Sequence, residues 1–228
     1  MHIPDGFLDL RICALMYFGT LIFWIFAIRK SRQNLDEKQI PLMATLTAMF
    51  FAAQMVNYPI VGGTTAHLLG GPILAITLGP YAGLISMTII LLIQALFFGD
   101  GGITTFGANV WNMGVIGVFI PYLIFFLATK ITKSQKGMLT GAFIGALIGD
   151  DLAAIFAGLE LGLSTTFPYS IQVAVTAMGL HHLFIGIGEG IITTMIISIL
   201  WKSRPDLLRL QKIAPSWMPD PITFIKEG

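Results

Sequence analysis

Residues 67–98 read HLLGGPILAITLGPYAGLISMTIILLIQALFF, with no acidic, lysine or arginine side chain among them. A helix needs about 20 apolar residues to cross the hydrocarbon core of a bilayer, so this stretch is long for one span. Gly79-Pro80 lies near its middle. Proline removes a helix hydrogen bond and clashes with the preceding turn, which predicts a break there. Whether 67–98 is one helix or two decides the fold.

Outside this stretch the apolar runs are 10–28, 41–60, 110–129, 137–163 and 170–200. Across the 228 residues, 55% are hydrophobic and only 11% charged. A soluble domain carries about 25% charged residues, so the composition is that of an integral membrane protein. Basic residues cluster at 29–38 (Arg29, Lys30, Arg32, Lys38), 130–136 (Lys130, Lys133, Lys136) and 202–212 (Lys202, Arg204, Arg209, Lys212). Basic loops stay on the cytoplasmic side. One span over 67–98 places the first two clusters on opposite faces; a break at Gly79-Pro80 gathers all three on one face and leaves only Arg11 near the other. The expected fold is therefore an all-α membrane bundle of seven transmembrane helices, with the N-terminus outside and the C-terminus cytoplasmic. Its third helix, 67–78, is short, either a span closed by a tight turn or half of a strongly kinked pair. Residues 1–201 form one transmembrane domain and 202–228 a cytoplasmic tail.

Net charge is +1, which gives no case for nucleic acid, and the single cysteine, Cys13, excludes an internal disulfide. MHIPDG lacks the basic start of a signal peptide, so Met1 is expected to remain.

On this topology MHIPDG (1–6), the segment 58–67 and GDGGITTFGAN (99–109) share the outer face, which brings His2 and His67 to the same side. A free α-amine, the His2 amide nitrogen and the His2 imidazole lie close along the chain. Binding through amine and amide closes a five-membered ring, and adding Nδ1 closes a six-membered one. Three nitrogens then lie nearly in a plane with one corner open, a geometry that suits Ni(II) or Cu(II), and His67 is placed to fill that corner. Pro4 fixes its own φ and extends Ile3, Asp5-Gly6 reads as a turn, and Gly62-Gly63 permits close backbone approach to His67. A plainer reading stands beside this one, with His2 an interfacial residue and His67 a polar cap on a helix start.

MHIPDGFL, GGTTAHLLGG, LIQALFFGDGGITTFGANVWNM and HHLFIGIGEGIIT together resemble the CbiM/NikM family. These are substrate-binding (S) components of energy-coupling-factor (ECF) transporters for cobalt and nickel. The resemblance runs from residue 1 to about 194 and implies a metal held by the Met1 amine, the backbone nitrogen and imidazole of His2, and His67. It also implies an extra N-terminal helix and a transmembrane coupling (T) subunit. Two ABC-type ATPases and a small accessory membrane protein complete the implied assembly in a prokaryotic inner membrane. Ni2+ or Co2+ is then transported substrate rather than cofactor, and corrin-synthesis genes nearby would argue for cobalt.

Other polar residues in apolar surroundings are weaker candidates. Thr64, Thr65, Asn109 and Asn112 are expected to orient the terminus or His67 by hydrogen bonds, as groups behind metal ligands do. His182 is placed in packing, an outer cavity or metal contact, with His181 about 100° away around the helix. Asp150, Asp151, Glu160 and Glu189 are costly at mid-membrane and should face the bundle interior. They read as structural carboxylates, paired or hydrogen-bonded to hold helices together, or else as a metal route or groups behind the metal ligands. Alternatively Asp150, Asp151 and Glu189 form the proton or ion path of a stand-alone secondary transporter or channel. Gly137, Gly141, Gly145 and Gly149 recur every four residues, either for close helix packing or as a sliding surface for a partner. No P-loop is present, so ATP hydrolysis falls to other chains, and HExxH and G-x-S-x-G are also missing, which argues against an enzyme.

Overall fold

The computed structural model describes residues 1–34, 39–60 and 64–209; Lys38, Gly62, Gly63, Lys212 and the tail from 210 lie outside the described residues. Helix α1 spans Leu10–Asn34 and α2 Gln39–Gln54. A hairpin of β1 (Tyr58–Ile60) and β2 (Thr64–Ala66) follows. Then come α3 (Gly71–Leu78) and the long helices α4 (Pro80–Phe98), α5 (Phe106–Thr132), α6 (Gln135–Leu163) and α7 (Ile171–Ser203).

Among the described residues five helices, α1 and α4 to α7, are long and apolar enough to cross a membrane. At 16 residues α2 rises about 24 Å and at 8 residues α3 about 12 Å, so α3 falls well short of a core about 30 Å thick. The break in 67–98 is where the sequence places it. Gly79 has φ 86° and ψ 158°, a conformation open essentially only to glycine. Its N–H still bonds back to the Ala75 carbonyl at 2.9 Å. Pro80 then starts α4, where its missing N–H costs nothing.

Two departures from the sequence expectation matter for the site. The short helix begins at Gly71, leaving residues 67–70 as irregular chain. The run expected to be helical over 41–60 stops at Gln54 and gives way to the antiparallel hairpin, which pairs Tyr58 with Ala66 and Pro59 with Thr65. Pro59 pushes Tyr58 toward extended backbone, and the aromatic Tyr58 and β-branched Ile60, Thr64 and Thr65 favour strands.

Asp9 begins α1 by accepting the N–H groups of Arg11 (3.0 Å) and Ile12 (3.2 Å), and it reaches across to the Thr165 N–H at 3.1 Å. Ser134 and Ser170 start α6 and α7 by accepting from Gly137 and Val173, as N-cap serines do. The glycine stripe on α6 lies against α5. A methyl on Gly145 would come within 2.8 Å of the Pro121 carbonyl, and Gly141 and Gly149 face Ala128 and Pro121. The stripe is thus occupied within the bundle and is no open face for a partner. Large apolar side chains such as Leu15, Phe18, Leu123, Ile131, Phe184 and Ile199 are exposed around the outside, the surface lipid would cover.

The N-terminal segment, the 99–105 loop and the 164–170 loop are tied together at one end by Asp5 and Asp9. Gly79, Gln39 and the Pro205–Arg209 segment gather at the other.

Candidate metal centre

The chain enters the bundle at its first residues. A turn at Asp5-Gly6, with Gly6 at φ 84°, folds the terminus inward, and Met1, His2 and Ile3 are all buried. Ile3 is fully bonded. Its N–H donates to Asn109 Oδ1 (2.9 Å), and its carbonyl accepts from Asn109 Nδ2 (3.1 Å), Thr105 Oγ1 (2.6 Å) and the Gly102 N–H (3.0 Å). The Asp5 carboxylate accepts from the N–H groups of Ile103 (3.1 Å) and Thr104 (2.7 Å). Gly101 (φ 91°) runs so close that a methyl there would lie 3.0 Å from Asn109 Nδ2 and 3.4 Å from the His2 ring.

Three nitrogens of the first two residues converge on one atom. Thr65 Oγ1 lies 3.2 Å from the Met1 amine, 3.4 Å from the His2 amide nitrogen and 3.4 Å from His2 Nδ1. The amine also donates to the Thr65 carbonyl. On the far side of the ring His2 Nε2 bonds to Gln94 Oε1 at 2.9 Å. The His67 ring sits beside it, with centroids 4.7 Å apart and planes tilted by 34°. His67 Nδ1–H donates to the Leu68 carbonyl at 2.9 Å, which leaves Nε2 with a free lone pair, buried and without a partner. A buried acceptor is rarely left unpaired, and an orphaned imidazole nitrogen beside three converging nitrogens fits a transition-metal ligand set. Among the described residues no three His, Cys, Asp or Glu side chains are grouped to hold a metal, so backbone nitrogens are needed to complete such a set.

The irregular stretch carrying His67 is anchored from α7. The two Glu189 carboxylate oxygens accept the N–H groups of Leu69 and Gly70, each at 2.9 Å, in a buried setting. Gln54 at the end of α2 donates to the Leu69 carbonyl at 2.7 Å. Two helices therefore fix the chain two to three residues beyond His67.

Burial also sets the charge state. It lowers the Met1 amine from 8.0 to about 5, against the opposing attraction of Asp100 and Asp150. It lowers His2 to about 3, assisted by the nearby amine and opposed by the Gln94 bond. Burial likewise holds His67 well below its usual range, with the amine and His2 adding to the effect. At neutral pH all three groups are uncharged and offer lone pairs. Burial raises Asp100, whose Oδ1 lies 3.4 Å from His2 Nδ1.

The remaining sequence candidates divide. Thr65 and Asn109 touch the terminal residues, as expected. Thr64 Oγ1 points instead to Met178 Sδ at 3.1 Å. Asn112 does not reach the terminus or His67; its Nδ2 donates to Glu160 at 2.7 Å, because α5 turns it toward α6. His182 is buried, with Nδ1–H on the Met178 carbonyl and Nε2 unpartnered, whereas His181 faces Tyr58 near the surface. Asp150 is fully buried with neither oxygen hydrogen-bonded, and Asp151 is half-buried. Gln94 and Asp100 were not among the candidates. The one signal for Gln94 was a lone polar residue in the apolar run LIQALFF.

Residues 2–207 match the family described as CbiM, cobalt uptake substrate-specific transmembrane region. An Archaeoglobus fulgidus relative, provisionally named a fused nickel transport protein NikMN, is 45% identical over 94% of this chain and 70% of its own length. The cobalt transport protein CbiM of Thermosediminibacter oceani is 34% identical, over 88% of this chain and 84% of its own. The crystal structure of a transition metal transporter superposes with a TM-score of 0.84 at 37% identity, covering 94% of this chain and 100% of that one.

Proposed function

The chain belongs to the CbiM family of cobalt uptake substrate-specific transmembrane regions, and on that footing we propose that it captures a nickel or cobalt ion through four nitrogens. The Met1 amine, the His2 amide nitrogen, His2 Nδ1 and His67 Nε2 are the ligands. The observation that carries the reading is the convergence of three terminal nitrogens on Thr65 Oγ1 beside the orphaned His67 Nε2. An entering ion takes the place of those three hydrogen bonds, and the His2 amide gives up its proton. The amine and imidazoles already carry bare lone pairs, so their competition with protons is small at neutral pH. A near-planar nitrogen set suits Ni(II), and the relatives named above carry both metals in their names.

The chain acts as the membrane-embedded capture subunit of an energy-coupling-factor importer. ATP is hydrolysed by two ABC-type partner subunits and transmitted through a transmembrane coupling subunit, with a small accessory membrane protein beside them. The site end faces outward and the basic end the cytoplasm, in keeping with the side on which basic loops collect. In this reading α2 and the short α3 join the five long helices to make seven passes. Engagement of both Glu189 oxygens by backbone N–H groups gives that carboxylate a structural task, whereas Asp150 keeps two unbonded oxygens.

The test is calorimetric titration of Ni(II) and Co(II) into chain with a free Met1 amine, the same chain N-acetylated, and His67→Ala. Tight binding is expected only in the first. Undiminished affinity after acetylation overturns the ligand set. A yellow, diamagnetic nickel adduct is the expected spectroscopic signature of the planar site.

A further inference from the structure

The chelate through consecutive nitrogens has a stereochemical demand. With the amine and amide of the same terminus bound, only His2 Nδ1 closes a ring with them; Nε2 points away. The neutral imidazole carries a single proton, and it must therefore reside on Nε2 before the ion arrives. Two sets of partners compete for it. Gln94 Oε1 lies 2.9 Å from Nε2, the usual length of a hydrogen bond to nitrogen. On the other side Asp100 Oδ1 and Thr65 Oγ1 each stand 3.4 Å from Nδ1, where such a bond is long and weak. The geometry favours the proton on Nε2, donated to Gln94.

Gln94 is held for this task. It has no exposed surface and opens a π-helical turn, Gln94–Phe98, that ends α4. Such turns concentrate at functional sites. Its own carbonyl accepts the Asp100 N–H at 3.1 Å, so the residue facing Nδ1 is tied to the residue facing Nε2. Gln94 Nε2 has no partner. The amide oxygen is therefore the only atom of the side chain engaged, and it is engaged by His2.

We infer that Gln94 is a positioning residue for metal capture: by accepting the Nε2 proton it selects the His2 tautomer whose Nδ1 lone pair faces the ion. This rests on the four-nitrogen site proposed above. The wider principle is that the group hydrogen-bonded to the far nitrogen of a ligand histidine fixes both tautomer and ring orientation.

Nitrogen-15 NMR of labelled histidine in the metal-free, full-length chain reads the tautomer directly and needs no substitution. A protonated Nε2 with bare Nδ1 at His2 is expected; a proton on Nδ1 overturns the role of Gln94. In the second arm Ni(II) is titrated into wild type, Gln94→Leu and Gln94→Glu. Loss of the acceptor in Gln94→Leu is expected to weaken nickel binding about 10- to 100-fold and to bring the Nδ1–H tautomer into the metal-free spectrum. Gln94→Glu keeps an acceptor at the same reach and is expected to retain wild-type affinity and tautomer. Equal affinity in Gln94→Leu, or a loss in Gln94→Glu as large as in Gln94→Leu, overturns the inference. A wild-type chain that binds no nickel overturns the site itself, whereas nickel binding with the wrong tautomer overturns Gln94 alone.

Discussion

Each end of the bundle is closed by a segment outside the long helices, and the two closures differ in kind. At one end Met1, His2 and Ile3 are buried and hydrogen-bonded into three other parts of the chain: the hairpin, the end of α4 and the start of α5. At the other, Pro205–Arg209 runs beneath α3. The Arg209 N–H bonds to the Ile76 carbonyl at 3.0 Å, its guanidinium to Gln39, and Leu208 is buried. Yet a cavity of about 520 Å³ remains there, bordered by Lys30, Gln39, Tyr81, Tyr122 and Asp206. The first end is already organised by hydrogen bonds, so on the proposed site the ordering cost of the ligand set would be met during folding. The second keeps an open cavity. Metal affinity should therefore respond to changes at the first end and ignore those at the second.

The largest expected effect is that of pH. Burial depresses the Met1 amine from 8.0 to about 5, so in the folded chain it is already neutral between those values. Only the His2 amide proton is then displaced by nickel, and affinity should fall about tenfold for each unit of pH lost. Below about pH 5 the amine must be deprotonated as well, and the slope should steepen toward about a hundredfold per unit. Between pH 8 and about 5 the unfolded chain holds a proton on this amine that the folded chain does not, so stability falls as pH drops through that window and levels off below it. Nickel titrations from pH 8 to 4 check this, and a flat profile would break the contrast between the ends.

Next in size is Glu189→Gln. An amide presents one acceptor where the carboxylate presents two, so either Leu69 or Gly70 loses its partner. Nickel affinity should drop about tenfold or more through a loosened His67, as read by calorimetry. Asp5→Ala removes the bonds to Ile103 and Thr104. Because Asp5 is solvent-exposed, the loss should be about 1 kcal/mol of stability, seen as a small fall in melting temperature. The smallest effect belongs to the other end. Arg204→Ala breaks an exposed pair with Asp206 at 2.8 Å and should change stability by no more than about 0.5 kcal/mol, with nickel affinity unchanged.

Much of this was legible in the residues, and what was not shares a physical reason. The Gly79-Pro80 break, the long apolar runs and the shared end of His2 and His67 follow from hydropathy, proline sterics and charge placement. The hairpin at 58–66 was missed because an apolar stretch extends past Gln54, and periodicity alone does not say where it stops being helical. Asn112 shares a helix face with Asn109, so sequence gave both the same expectation; packing against α6 sent one to Glu160. Glu189 was recognised as a costly intramembrane carboxylate. Its partners, Leu69 and Gly70, are 120 and 119 residues away.

By itself the sequence determined what depends on near neighbours: which segments are apolar enough for a membrane, where the chain must break, and that an amine, an amide and a position-2 imidazole are spaced for adjoining chelate rings. The tertiary structure alone decided what depends on direction across the bundle. It set the His67 ring beside His2, left Nε2 of that ring bare, and put Gln94 and Asp100 on opposite sides of the His2 imidazole. A hydrogen bond between residues 92 apart leaves no trace in local pattern, because it needs only one polar atom at the right place and angle.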